Sequence, residues 1–239
     1  MIFLEIARVT LRALLGRRRT LLMLLLAGIP ILVGLIVRAN GPGVRDVGAT
    51  LDGLVVRVVL PLVALVFGTA ALGSELEDGT AVHLLTKPIR RSTIVLAKMT
   101  VAGTLTATML VPSTLLAGML LARPGTDAFS TTSALAIGVL VGSYVYVAIF
   151  VALSIVTSRG LLIGLGYALI WEGILAGLLP GSQVFSVREY VRGIAQILSP
   201  DAIESVVGRG AALYAAIALV AATVIASLRL AAYEVRGSD

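Results

Sequence analysis

The amino-acid sequence predicts an all-α integral membrane protein with six transmembrane helices. Of its 239 residues, 58% are hydrophobic and 13% are charged, whereas a soluble domain of this length needs many more charged residues to cover its surface. The mean hydropathy is +1.03, and the apolar residues are mostly aliphatic. They are gathered in runs of about 20, the length that a helix needs to cross the hydrocarbon core. We therefore expect lipid to surround most of the chain.

The apolar runs define the predicted spans and a single domain over residues 1–239. Pro30, Pro61 and Pro112 lie within spans, where neighbouring helices can satisfy the freed backbone groups. Residues 158–160 separate the fourth span from the fifth, which indicates a tight hairpin. The predicted spans are residues 20–37, 54–73, 97–121, 134–157, 161–179 and 211–230.

The distribution of basic residues predicts the orientation of the chain. Twelve of the 19 Lys and Arg residues lie in segments that are inside if the N-terminus is cytoplasmic, and seven lie in outside segments. Cytoplasmic loops carry the excess of basic residues. We therefore expect a multi-pass protein of the cell inner (cytoplasmic) membrane with both termini in the cytoplasm. The first apolar segment lacks the cleavage site of a secretory signal and is expected to remain as an anchor.

Residues 1–19 form a separate amphipathic segment. Glu5, Arg8 and Arg12 recur at spacings of three and four, and apolar residues occupy the other face. This pattern predicts an interfacial helix in the inner headgroup layer. The alternative is an N-terminal extension of the first span.

The loop between the second and third spans combines acidic, apolar and basic residues in that order. Glu75, Glu77 and Asp78 precede a short apolar turn over residues 81–85, and a proline and two arginines follow. The residue before proline avoids the helical conformation, so the turn is expected to end there. The pattern predicts a short cytoplasmic helix parallel to the membrane, suited to binding a soluble partner.

This loop resembles that of the permeases of the ABC-2 family of ATP-binding cassette transporters. The resemblance implies a coupling helix that docks a cytoplasmic ATPase, with two permeases side by side and two ATPase copies. The second permease is either another copy or a relative, and transport is expected to be export. The residues that carry the resemblance are Glu75, Glu77, Asp78, Gly79, Thr80, Leu84, Leu85, Pro88, Arg90 and Arg91, and His83 lies on the same short helix.

No phosphate-binding loop of the Gly-x-x-x-x-Gly-Lys-[Ser/Thr] type occurs in the sequence. ATP and Mg²⁺ are therefore expected in the partner ATPase, and this chain is expected to bind no cofactor and to catalyse no reaction. His83 has no second His or Cys at ligand spacing, which argues against a metalloenzyme. The basic residues flank apolar segments, so lipid is the expected partner rather than nucleic acid.

Glu172 is an isolated acid within the fifth predicted span, beside the only tryptophan, Trp171. A charge at that depth costs about 2.5–3.5 kcal/mol unless it has a partner or water. Glu172 either lines the transport pathway, which in the resembled family lies largely along spans two and five, or it fixes helix packing. Arg57, near the outer end of the second span, is the candidate partner.

Residues 180–210 form an external segment that is either one or two short helices dipping into the outer leaflet or a simple surface loop. Glycine pairs four residues apart, such as Gly138 with Gly142, allow close packing of helices, within one chain or between two permeases. Two other functions remain open. One is an ion-coupled secondary transporter or channel subunit with Glu172 as its ion site, and the other is a membrane scaffold that transports nothing.

Overall fold

A computed structural model describes residues 2–77, 90–124, 127–178, 181–200 and 202–232. Within these ranges the chain is helical and contains no β-strand, only one isolated parallel bridge between Val44 and Ala122. The all-α class predicted from the composition is therefore confirmed.

The structure contains ten α-helices within the described residues, and several of them begin or end close to a boundary of a predicted span. Residues 47–77 form one continuous helical segment, in which a π-helix, π1 (Asp52–Val59), joins α3 to α4. A second π-helix, π2 (Tyr167–Leu175), joins α7 to α8. Short 3₁₀ turns cover Ser182–Phe185 and Gly208–Gly210. The α-helices are α1 (Ile2–Leu14), α2 (Arg17–Asn40), α3 (Val47–Leu51), α4 (Leu60–Glu77), α5 (Arg91–Leu121), α6 (Ala128–Val156), α7 (Gly160–Gly166), α8 (Ala176–Leu178), α9 (Val187–Leu198) and α10 (Ala211–Ala231).

In the described part of the chain, five helical segments are long and apolar enough to cross a membrane. They are Arg19–Asn40, Val47–Gly73, Arg91–Leu121, Ala128–Val156 and Gly208–Ala231. The region of the predicted fifth span contains a shorter apolar helix, Gly160–Leu175, which is partly π-helical. The multi-pass membrane character is thus established, and a sixth span stays a prediction.

A proline, Pro61, lies at the start of α4, directly after the change of helical register in π1. The Leu60 N–H donates to the carbonyl of Val55, five residues back, as in a π-helix. Pro61 has no N–H to give to the carbonyl of Arg57, so the ordinary α-helical hydrogen bond cannot form there. The sequence analysis placed Pro61 within the span but did not predict the π-helix.

The helix α6 lies at the centre of the fold and contacts α4, α5, α9 and α10. Its small residues allow this close packing, and two aromatic residues, Tyr146 and Phe150, are fully buried in the core. The helices α2 and α10 lie at the periphery with many exposed leucine, isoleucine and valine side chains. The molecule has two ends: the α1 end holds the start of α2 and the end of α4, and the α9 end holds π1 and π2.

The helix α1 is a separate element, because it ends at Leu14 and α2 begins at Arg17. Ile6, Thr10 and Leu14 are buried on one face, and α1 packs mainly against α5. The other face exposes Phe3, Leu4 and Leu11 together with its charged residues. The location of α1 at a membrane interface stays a prediction.

The predicted external segment contains a helix, α9, that packs against α6 and α10. Val187, Tyr190 and Val191 are buried on its inner face. Residues 187–198 therefore form a helix rather than a simple surface loop. The position of α9 relative to the bilayer stays a prediction.

Candidate functional site: a polar network joining the two π-helices to α9

Glu172 lies in π2 and is buried, with 2% of its surface exposed. Its carboxylate accepts hydrogen bonds from the Ser186 hydroxyl at 2.5 Å, the Val187 N–H at 2.8 Å and the Tyr167 hydroxyl at 3.0 Å. Ser186 is the N-cap of α9 and Val187 is its first residue, so the carboxylate lies at the positive end of this helix. Glu172 therefore connects π2 to the start of α9.

Asp52 connects π1 to the other side of α9. The Arg188 guanidinium binds the Asp52 carboxylate through Nη2 at 2.6 Å and Nε at 3.4 Å, a two-point contact that is stronger than a single one. The Nε of Arg192 lies 3.7 Å from the same carboxylate. Burial alone would lower the pKa of Arg188, but the hydrogen bond and the charge of Asp52 outweigh it and raise this pKa. Arg188 is therefore a permanent cation in the pair.

Glu189 extends the network to the loop that precedes α10. Its carboxylate accepts a hydrogen bond from Arg192 at 2.5 Å, from the Ser205 hydroxyl at 3.1 Å and from the Val206 N–H at 3.2 Å. Three buried acids thus fix the position of α9. Glu172 binds its start, Asp52 binds its side through Arg188, and Glu189 joins it to the loop before α10. An element fixed in this way is positioned relative to both π-helices at once.

Arg57 and Glu172 do not form the pair that the sequence suggested. Arg57, also in π1, is exposed and donates from Nη2 to the carbonyl of Gly173 at 2.6 Å. The guanidinium thus binds the backbone next to Glu172, while the Glu172 carboxylate takes its donors from Tyr167 and α9. Trp171 is half-buried, and its indole Nε1 is buried with no hydrogen-bond partner among the described residues. A place for these three residues on a transport pathway stays a prediction.

The predicted ATPase-docking residues lie at the α1 end, and most fall outside the described residues. The backbone of Glu75 and Glu77 forms the last turn of α4, and Arg90 is the N-cap of α5, where Arg91 begins the helix. Ser92 lies in the first turn of this helix. Residues 78–89, with Asp78, Gly79, Thr80, His83, Leu84, Leu85 and Pro88, are not described, so the docking assignment stays a prediction.

Lys98 connects the two helices that flank this loop. The side chain is buried, with 1% of the residue exposed, and one of its hydrogen bonds runs from Nζ to the carbonyl of Ala71 at 2.6 Å. Ala71 lies in α4 and Lys98 in α5, so the contact holds the two ends of the loop region together. The sequence analysis did not foresee that Lys98 is buried.

A sequence model of the ABC-2 family transporter proteins matches residues 37–200. The match covers more than half of the chain and runs from the end of α2 through α9, so it includes the three buried acids of the polar network and the predicted docking loop. The chain belongs to the ABC-2 transporter family. No curated protein matches it.

Family membership identifies the chain as a permease, the membrane subunit of an ATP-binding cassette transporter. Such a subunit is not itself catalytic, and the family implies partnership with an ABC ATPase. The resemblance found in the loop between the second and third spans is thereby confirmed at the level of the family.

The ABC-2 permease has a cavity of about 720 Å³ at the α9 end, beside the polar network. It lies between the start of α3, the start of α6 and the loop after α9. Its charged lining residues are Arg45, Asp46, Asp52, Asp127, Arg192 and Glu204. Asp46 and Asp127 are N-caps, of α3 and α6 respectively, so two of these acids have structural roles.

The sequence analysis missed Asp52, the central acid of the network. It lies two residues before the predicted second span, where a charged residue is ordinarily assigned to water. The acidic and basic residues at positions 188, 189 and 192 have a spacing of three to four that places them along one side of a helix. That spacing, with an unpaired acid before the second span, was the available signal for the contact.

Proposed function

We propose that this ABC-2 permease is the transmembrane subunit of an ATP-driven exporter in the cytoplasmic membrane, with both termini in the cytoplasm. It spans the membrane six times, with residues 161–179 as the fifth span and α1 in the inner headgroup layer. Two permeases, either identical or related, lie side by side. Each is bound by one copy of a cytoplasmic ATPase, which holds ATP and Mg²⁺, and this chain binds no cofactor.

The family match carries this proposal, because the matched region contains the whole loop from Glu75 to Arg91. In the proposal this loop forms the coupling helix that docks the ATPase. The buried contact between Lys98 and Ala71 supports it, because the two helices that leave the loop are held together at that point. Movement of the loop is then passed to α4 and α5 as a unit.

In the same proposal the substrate passes along π1 and π2, where Arg57, Glu172 and Trp171 form part of the wall. π-helical segments often occur at functional sites, and both π-helices lie at the α9 end. The alternative of an ion-coupled transporter with Glu172 as a cation site is disfavoured. Its carboxylate already accepts hydrogen bonds from a backbone N–H and two hydroxyls, which supply donors where a cation needs oxygen acceptors.

The test of the proposed function is replacement of Leu84 and Leu85 together by Asp. Aspartate carboxylates disrupt an apolar contact, because burying an unpaired charge is unfavourable. The ATPase should no longer co-purify, and substrate-stimulated ATP hydrolysis should disappear. The control is the double change to Met, which keeps the volume and apolar character and should retain both. Co-purification and stimulated hydrolysis in the Asp variant would refute docking at this loop.

A further inference from the structure

A narrow crevice at the α1 end lies between the start of α2, the end of α4 and the hairpin that joins α6 to α7. Its volume is about 220 Å³, below the roughly 300 Å³ of a pocket for a drug-sized molecule. Arg19 of α2 and Thr157 of the hairpin contribute to its polar part, and Val66 and Leu161 contribute to its apolar part. The crevice was not foreseen from the sequence.

Among the side chains that the structure describes, Arg19 is the only charged one that lines the crevice. It is half-buried, and its guanidinium makes no hydrogen bond or ion pair within the described part of the chain. A guanidinium that loses part of its water shell without gaining an acceptor is unfavourable. The neighbouring hydroxyl of Thr20 is likewise buried without a partner among described residues. Among the described residues, this corner therefore offers hydrogen-bond donors that have no acceptor.

The hydroxyl groups of the crevice show which of them can donate to a ligand. Thr69 and Ser154 donate to carbonyls of their own helices, at 2.7 Å and 2.9 Å. The Thr157 hydroxyl accepts from the N–H of Arg159 at 3.2 Å, so its own hydrogen is available. Arg19 and Thr157 together offer positive charge and N–H and O–H donors, which suit an anion with several oxygens.

The apolar part of the crevice indicates where such an anion comes from. Val66 precedes Gly73, another lining residue, by about two helical turns in α4, or roughly 10 Å, so the crevice continues towards the middle of the helix bundle. Leu161 is 50% exposed and faces the surroundings of the bundle. A soluble anion gains nothing from this apolar extension, whereas a phospholipid places its phosphate beside Arg19 and the start of its acyl chains along Val66 and Leu161.

We propose that the crevice binds the headgroup phosphate of an anionic phospholipid at Arg19 and Thr157. Basic pockets between transmembrane helices on the cytoplasmic side commonly bind such headgroups. The assignment to the inner leaflet rests on the proposed orientation, in which α2 begins at the cytoplasmic face. Lipid binding at this site would hold α2 against α4 and the hairpin.

The experiment measures binding of phosphatidylglycerol to the permease alone, in nanodiscs of phosphatidylcholine, by native mass spectrometry. We expect Arg19→Gln to weaken binding about tenfold, the loss of one charge-assisted hydrogen bond, and Arg19→Lys to weaken it less. Val66→Phe should narrow the apolar part and reduce binding with Arg19 intact. The matched control is Arg12→Gln, which removes an exposed charge on α1 at the same end and should leave binding unchanged.

Equal binding by Arg19→Gln and the parent would overturn the site, as would equal losses in Arg19→Gln and Arg12→Gln, which indicate only general attraction to a charged surface. Competition by inorganic phosphate at the lipid concentration would overturn the lipid assignment in favour of a soluble anion. No ATPase is present, so failure of the docking loop cannot affect the result. If Arg19-dependent binding persists while cysteine labelling reverses the orientation, the site stands and the proposed leaflet is wrong.

Discussion

A carboxylate buried among apolar helices is stable only where donors surround it, and Glu172 meets this condition through a neighbouring helix. Ser186 and Val187, which it binds, lie 14 and 15 residues away along the chain. Tyr167 supplies a third donor from the same π-helix. Each of the two α9 donors would be left buried without an acceptor if the carboxylate were removed. Glu172 therefore supplies the acceptor for two buried donors at the start of α9.

We predict that Glu172→Leu destabilises the permease by about 1–3 kcal/mol for each buried donor left unsatisfied. Glu172→Gln should cost less, because the amide keeps the shape and one oxygen acceptor. The measurement is thermal unfolding of the purified permease in detergent, with Glu172→Gln as the matched control for side-chain volume. Equal stability of the Leu variant and the parent would show that these hydrogen bonds contribute nothing. A Gln variant of normal stability with lost transport-linked ATP hydrolysis would instead favour a role on the pathway.

Among the helices, α9 is held by packing as well as by its charged contacts. A Cβ atom on Gly138 would lie 2.5 Å from the carbonyl oxygen of Val191, and one on Gly142 would lie 2.5 Å from the Val191 side chain. These glycines of α6 therefore allow α9 to approach its backbone. The pair was expected to serve helix packing within one chain or between two permeases, and the structure assigns it to packing within the chain.

We predict that Gly138→Ala displaces α9 and destabilises the permease by about 1–3 kcal/mol, because a backbone carbonyl cannot move away as a flexible side chain can. Gly28→Ala is the control, since nothing lies within 4 Å of a Cβ at that position of α2. Alanine is preferred over glycine in a helix interior by roughly 1 kcal/mol, so this control should be neutral or stabilising. Hydrogen exchange of the α9 amides, measured with thermal unfolding, distinguishes local displacement of α9 from general loss of stability. Unchanged exchange in Gly138→Ala would contradict the packing role.

For the whole molecule, the two ends carry different chemistry. The α1 end has the predicted docking loop and the lipid crevice, and the α9 end has the three buried acids and the large cavity. In the proposed topology the first faces the cytoplasm and the second the outside. The topology can be tested by labelling single cysteines from one side of the membrane, which requires exposed positions. Val206, at the α9 end, is 71% exposed, and Ser92, at the α1 end, is also exposed. Ser186 is 1% exposed, so a thiol reagent would not reach a cysteine there.

We predict that single cysteines at Ser92 and Val206 react with an impermeant thiol reagent from opposite sides of the membrane, with only Val206→Cys labelled in intact cells. The chain has no cysteine of its own, so the background is clean. Ser143→Cys, at a position that is 0% exposed, serves as the unlabelled control. Labelling of both exposed positions from outside would refute the topology. Labelling of Ser92→Cys alone would reverse the orientation.

The sequence by itself determined that the chain is a helical membrane protein, where most helices lie and which family it belongs to. The predicted last span, residues 211–230, differs by only one residue from α10, Ala211–Ala231. Hydropathy is summed over neighbouring residues, so the sequence alone is enough to locate an apolar helix. Only the tertiary structure decided that Arg57 binds the Gly173 carbonyl, 116 residues away, and that Glu172 binds α9. Such partners depend on distances between helices, and a π-helix or a close glycine contact changes those distances without changing the hydropathy.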